Sequence, residues 1–169
     1  MDALIVDGYN IIGAWSDLRN LRERDLAQAR DKLIDYMSEY RAITGFRVIV
    51  VFDAHFVKGN EKKIKTRKVE VVFTRENETA DECIERLVKK IKNVKNQVYV
   101  ATSDYTEQRT IFAQGALRKS ARELLLEMEE VETDIRKEVK KQKEVVHHSK
   151  IPISKDVLEV FERWRRGEK

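Results

Sequence analysis

The sequence predicts an α/β fold with a mostly parallel central sheet. Three observations carry that prediction. Short apolar runs are each closed by a carboxylate: Leu4-Ile5-Val6-Asp7, Val48-Ile49-Val50-Val51-Phe52-Asp53, and Val98-Tyr99-Val100-Ala101-Thr102-Ser103-Asp104. Segments with helical apolar spacing lie between them, as βαβ units require. The strand runs are almost continuously apolar, as expected of strands covered on both faces.

The elements follow in order. Leu4 to Val6 is a strand that delivers Asp7 to its carboxyl end, and Gly8 is expected to let the backbone turn tightly so that Asp7 and Asn10 face one crevice. Ile11 to Trp15 reads as a loop or short turn. From about Arg24 to Ile43, Leu26, Ala29, Leu33, Ile34, Met37 and Tyr40 recur at helical spacing, and Thr44-Gly45 supplies a stop. Val48 to Phe52 is the second strand. Ala54 to Lys68 reads as a basic loop around the Gly59-Asn60 turn signal, and Val69 to Phe73 as a third strand near a sheet edge.

Thr79 with Glu82 makes a capping box that opens a helix bearing Ile84, Leu87, Val88 and Ile91 on one face. Val98 to Ala101 is the fourth strand. Asp104 to Phe112 reads as a helix, and Gly115 leads into a short apolar piece at Ala116-Leu117. Ser120 and Glu123 form a second capping box, opening a long helix with Leu124, Leu125, Met128, Val131, Ile135 and Val139 as its stripe. Charge density rises beyond Lys140, Pro152 interrupts the chain, and Ser154 is placed to cap a last helix containing Val157, Leu158, Phe161 and Trp164. The expectation is one domain over residues 1–169, with 136–169 a charged helical C-terminal extension.

Composition narrows the function classes. The 169 residues carry a formal net charge of +4, which suits a polyanionic partner. A single cysteine, Cys83, excludes an internal disulfide, and no apolar run is long enough to span a bilayer. The N-terminus lacks the pattern of a signal peptide. A cytoplasmic protein is expected. No phosphate-binding P-loop, dinucleotide fingerprint or nucleophile elbow is present, so no small-molecule cofactor is expected.

Asp7, Asp53 and Asp104 end strands, and Asp81 falls in the first turn of a helix. A doubly wound sheet brings such positions to one crevice. Carboxylates held together repel, raising their own pKa values unless a cation lies between them. Mg²⁺ and Mn²⁺ suit all-oxygen donor sets and phosphoryl chemistry. Asn10 adds an amide beside Asp7, suited to a phosphate oxygen or a bound water, while Glu78 and Ser103 flank the set. Each acid also has an ordinary structural role open to it: an Asx-turn, a loop start, a first-turn acid, an N-cap. The basic residues Lys58, Lys62, Lys63, Lys65, Arg67 and Lys68 have the composition of a phosphate-contacting loop, and Arg109, Arg118, Lys119 and Arg122 follow Asp104. A solvated charged loop has the same composition. His55, His147, His148 and Cys83 lack the company of zinc ligands.

Taken together, Val6-Asp7-Gly8-Tyr9-Asn10, Val51-Phe52-Asp53-Ala54, Phe73-Thr74 with Glu78-Thr79-Ala80-Asp81, Thr102-Ser103-Asp104, and Gly115-Ala116 with Ser120-Ala121-Arg122-Glu123-Leu124 resemble the YacP-like NYN-domain family, part of the wider PIN-like nuclease group. The resemblance covers about residues 1 to 135. It implies a PIN-like three-layer α/β/α fold and Mg²⁺- or Mn²⁺-dependent endoribonuclease activity. It also implies an acidic core of Asp7, Asp81 and Asp104, with Asp53 a fourth member and Asn10 a polar neighbour. Because the family includes an endonuclease that meets its mRNA on translating ribosomes, mRNA and the ribosome are the implied partners. Two other functions fit the residues: an RNA- or ribosome-binding module with a nuclease-like fold, and a phosphatase using Asp7 as nucleophile. The phosphatase commonly needs a second Asp two residues on, where Tyr9 stands.

Overall fold

The computed structural model describes residues 1–56, 69–148 and 154–167. Its centre is a five-stranded, all-parallel sheet: β1 (Ala3–Asp7), β2 (Arg47–Phe52), β3 (Glu70–Phe73), β4 (Val98–Ala101) and β5 (Leu117–Lys119), in spatial order β3-β2-β1-β4-β5. The chain runs outward from β1 through β2 to β3, then returns across the sheet to β4 and β5. The order therefore reverses between β1 and β4, which is where open α/β sheets leave a crevice at their carboxyl edge.

Strand alternation builds a core on each face. Leu4, Val6, Val48, Val50 and Phe52 point to one side and pack with α1 (Gly8–Ala14), α3 (Leu26–Thr44) and the first turns of α6 (Ala121–His148) through Ile11, Leu33, Met37, Leu124 and Met128. Ala3, Ile5, Ile49, Val51, Val98 and Val100 point to the other, covered by α4 (Ala80–Ile91) and α5 (Tyr105–Ala113) through Cys83, Ile84, Val88 and Ile111. The layers are α/β/α, as expected. β3 lies at an edge, also as expected.

Several local expectations are corrected. Ile11 to Ala14 is helical, and a further helix, α2 (Ser16–Arg24), precedes α3. Its Arg-rich, charged sequence buries only Leu18, so its apolar period is too sparse to read. Trp15 separates the two helices and is fixed by its indole N–H donating to the Ala121 carbonyl at 2.8 Å. The piece after Gly115 is a fifth strand, three residues of which two are basic. Edge pairing with β4, rather than composition, makes it a strand.

The predicted caps form where they were placed, with one exception. The Thr79/Glu82 box closes in both directions, Ser120 and Glu123 exchange the equivalent bonds, and Gly45 ends α3 at φ 72°. Ser154 precedes α7 (Lys155–Arg166), but its side chain makes no capping bond.

Two compact units are present, residues 1–131 and 132–169. The first holds both cores. The second contains the remainder of α6 and α7, within which Phe161 and Trp164 meet edge to face at 5.9 Å and Gly167 closes the helix at φ 70°. No helix among the described residues is long and apolar enough to cross a membrane.

Candidate active site

Asp7 ends the central strand of the sheet, on one side of the reversal point, and is only 9% exposed. Ser103 and Asp104 follow β4 on the other side. Asn10, in the first turn of α1, joins the two: its Oδ1 accepts the Ser103 backbone N–H at 2.8 Å. The amide expected to face a ligand thus uses its oxygen to hold the crevice together, leaving its NH2 end as the donor. Thr102, fully buried, accepts the Asp104 N–H through Oγ1 at 3.1 Å and sets the direction in which the chain leaves β4.

Gly8 does not supply a left-handed turn, because the chain enters α1 directly and Gly8 is absent from the positive-φ positions. Its role is steric. A Cβ there would lie 2.3 Å from the Phe52 ring and 2.9 Å from the Val51 carbonyl oxygen. The lack of a side chain lets α1 start against β2 immediately after Asp7.

Asp81 occupies the first turn of α4, the helix that crosses back over β1, β2 and β4. The crossing carries the N-terminal end of α4 to the carboxyl edge of the sheet. Asp53 follows β2 and is drawn into a local knot: its Oδ1 accepts from the His55 backbone N–H at 2.9 Å and meets His55 Nδ1 at 2.8 Å. Thr74, after β3, accepts the Ala54 N–H at 3.0 Å and donates its own backbone N–H to the Phe52 carbonyl, so the end of β2 is anchored to its neighbour.

The other three acids act on Asp7 through space. The Asp7 pKa is raised from 3.8 to about 6, first by burial and then by the charges of Asp81, Asp104 and Asp53. The Asn10 backbone N–H works in the opposite direction, although no capping bond of good geometry closes onto the carboxylate. The Asp81 carboxyl is likewise raised, by burial and by Asp104 and Glu82. Folding has therefore gathered negative charge where it is least comfortable, and a proton or an added cation relieves it. The donor set is all oxygen, which suits Mg²⁺ or Mn²⁺. Among the described residues no three acids, histidines or cysteines converge tightly enough to form a closed metal cage. Mg²⁺ does not need one, since it retains several waters and binds through one or two carboxylates plus substrate phosphate.

Other predicted residues find different partners. Glu78 holds Arg86 through both carboxylate oxygens, at 2.8 and 3.1 Å, and accepts the Arg75 N–H; these bonds keep its pKa low. These bonds shape the loop before α4 and occupy both carboxylate oxygens of Glu78. Cys83 is buried and its sulfur receives Arg86 at 3.4 Å. Arg118 donates to the Thr102 carbonyl at 3.1 Å, and Arg109 is exposed on α5. Lys119 points inward: Nζ lies 2.7 Å from Glu127 and 4.9 Å from the centre of the Tyr99 ring. Tyr40 joins this cluster by donating to Glu127 at 2.9 Å, and burial with that carboxylate pushes its phenol above the usual range. Lys119 thereby ties α6 to the sheet, its charge already matched. Lys58, Lys62, Lys63, Lys65, Arg67 and Lys68 lie outside the described residues.

Three neighbours of the site had no role assigned from the sequence: Thr74 and Tyr9, which entered only as parts of the family motifs, and Arg30. Arg30 is 7% exposed and donates to the Tyr9 hydroxyl at 3.1 Å. An arginine at a core position of α3, among Ala29, Leu33 and Met37, was the available signal.

The family model described as YacP-like NYN domain matches residues 4–166. The chain is 57% identical over 168 residues to a Bacillus subtilis protein named "Uncharacterized protein YacP", covering 99% of both chains. Among solved structures, the crystal structure of Rae1 (YacP) from Bacillus subtilis superposes with a TM-score of 0.79 at 57% identity, over 99% of this chain and 96% of that one. A second crystal structure of that protein, a W164L mutant, gives 0.76 at 53% identity over the same shares.

Proposed function

The chain belongs to the YacP-like NYN domain family, within the PIN-like nuclease group, and from that premise we propose that it is a metal-dependent endoribonuclease acting on mRNA in association with the ribosome. The observation that carries this reading is the placement of Asp7, Asp53 and Asp104 at or just beyond the carboxyl ends of β1, β2 and β4 and of Asp81 in the first turn of α4, with the buried Asp7 carboxyl pushed up to about 6 by burial and by the charges of the other three. Asp7, Asp81 and Asp104 would hold Mg²⁺ or Mn²⁺, with Asp53 assisting from its His55-bound position. A cation held by these carboxylates would supply Lewis-acid stabilisation of phosphoryl charge and a more acidic water.

The chain's own residues supply the rest. Asn10 keeps the ends of β1 and β4 at fixed separation, and its NH2 group is a donor for a phosphate oxygen. Thr102 and Thr74 hold the loops that carry Asp104 and Asp53. Arg109 and Arg118 supply attraction for the RNA backbone, and the positive charge of the 58–68 sequence adds to it. The ribosomal association rests on the likeness to the family alone.

Cleavage of one mRNA, measured with and without translating ribosomes, tests the proposal. Asp7→Asn and Asp81→Asn should each slow cleavage by about 10²-fold or more, the loss expected when several kcal/mol of charge stabilisation is removed. Full cleavage by both folded variants would overturn it. The lack of a closed metal cage among the described residues favours one other reading, a nuclease-like module that binds RNA or the ribosome without cutting. A calorimetric titration separates the two: no affinity for Mg²⁺ or Mn²⁺ supports the module.

A further inference from the structure

A row of aromatic rings runs from the core to the surface at the carboxyl ends of β1, β2 and β3. Phe73 and Phe52 lie 6.0 Å apart, Phe52 and Tyr9 5.2 Å, and Tyr9 and Phe56 5.1 Å with an edge-on tilt of 66°. Its last member, Phe56, is 60% exposed. A lone exposed phenylalanine needs no explanation, but this one ends a continuous ladder and is held in place. The short turn that bears it, Ala54–Phe56, is secured at three points. Ala54 donates to Thr74, the His55 N–H to the Asp53 carboxylate, and the Phe56 N–H to the Asp53 carbonyl at 3.3 Å. Tyr9 is held from the opposite side by the buried Arg30. Tyr9 lies two residues beyond Asp7 and Phe56 three beyond Asp53, so both residues follow the carboxyl ends of the paired strands β1 and β2.

We propose that Tyr9 and Phe56 form a stacking platform for an unpaired base of the RNA strand whose phosphate enters the carboxylate crevice. This rests on the nuclease reading and adds a base-binding subsite to it. The two ring faces carry no charge to hold a phosphate, so the uncharged, planar part of a nucleotide is what the patch can retain. Base–aromatic stacking needs no hydrogen-bond pattern and tolerates any sequence, while requiring the base to be out of a duplex. A two-ring patch is also too small to seat an amphipathic helix, which needs anchors over successive turns.

The test uses the full chain carrying Asp81→Asn, to prevent cleavage, and a single-stranded oligoribonucleotide with 2-aminopurine at successive positions. Stacking quenches the fluorescence of that base, while anisotropy of an end label reports binding independently. Quenching should appear at one or two adjacent positions. Phe56→Ala should abolish it and weaken binding by about tenfold, within the range measured for removal of one stacked aromatic. Phe56→Trp should preserve both. Because Phe56 is exposed, these variants should keep the parent's circular dichroism and melting temperature.

Unchanged quenching in Phe56→Ala, binding without quenching in the parent, or no binding by the parent overturns the platform. So does Phe56→Leu matching the parent in both signals, which would mark a simple apolar contact such as a protein partner makes. If the wild-type chain fails to cleave yet stacks the probe, the platform stands and the nuclease reading falls.

Discussion

Asp7 shows how a single side chain is placed against its own stability. Its pKa in the fold, about 6, lies above the ordinary 3.8, so the folded state holds the proton more tightly than the unfolded chain does. The sign follows: stability falls as pH rises from about 4 through 6, and the full penalty stands above that. At 1.36 kcal/mol per tenfold change, this amounts to as much as about 3 kcal/mol at neutral pH. Asp7→Asn should therefore be more stable than the parent at pH 7 by up to that amount, with the gain vanishing below about pH 4. Denaturant unfolding at the two pH values checks it, and Mg²⁺ should raise the melting temperature of the parent more than that of the variant. A gain in stability on removing a site residue is the pattern expected where function and folding compete.

At the scale of elements, the junction of β1 and α1 decides where the acid goes. Gly8 is buried between the strand end and Phe52, whose ring is itself bracketed by Tyr9 and Phe73. Gly8→Ala should destabilise the protein by about 1–3 kcal/mol, the usual range for overpacking, because the ring cannot swing aside without displacing both neighbours. The unfolding midpoint measures that loss. The sequence suggested a glycine that serves a turn, but the backbone is helical there and the need is space. Similar gaps explain α2 and β5. A charged helix with little buried surface and a three-residue strand with two basic residues carry too little periodicity to be read locally. The strong signals, by contrast, were sound: two capping boxes, the Gly45 stop, and four apolar strands.

For the molecule as a whole, both hydrophobic clusters consist of residues up to Met128, within the compact unit 1–131. A chain shortened to residues 1–135 should fold cooperatively, with far-UV circular dichroism of an α/β protein and a single unfolding transition. Loss of that transition would show that residues 136–169 are needed for the first unit to fold. The same scale governs the site: Asp7, Asp53, Asp81 and Asp104 are dispersed over almost a hundred positions, and the reversal of strand order between β1 and β4 makes them neighbours.

By itself, the sequence determined the α/β alternation, the family, the helix caps and the four acids at strand and helix ends. These are local properties, written in periodicity, capping chemistry and residue type within a few positions. Only the tertiary structure decided the strand order and the charge felt by Asp7. It also decided that Asn10 bonds Ser103, that Lys119 turns inward to Glu127, and that Arg30 reaches Tyr9. Each of these depends on groups far apart in the chain meeting in a buried, low-dielectric setting, where burial and pairing outweigh the local preferences that a sequence displays.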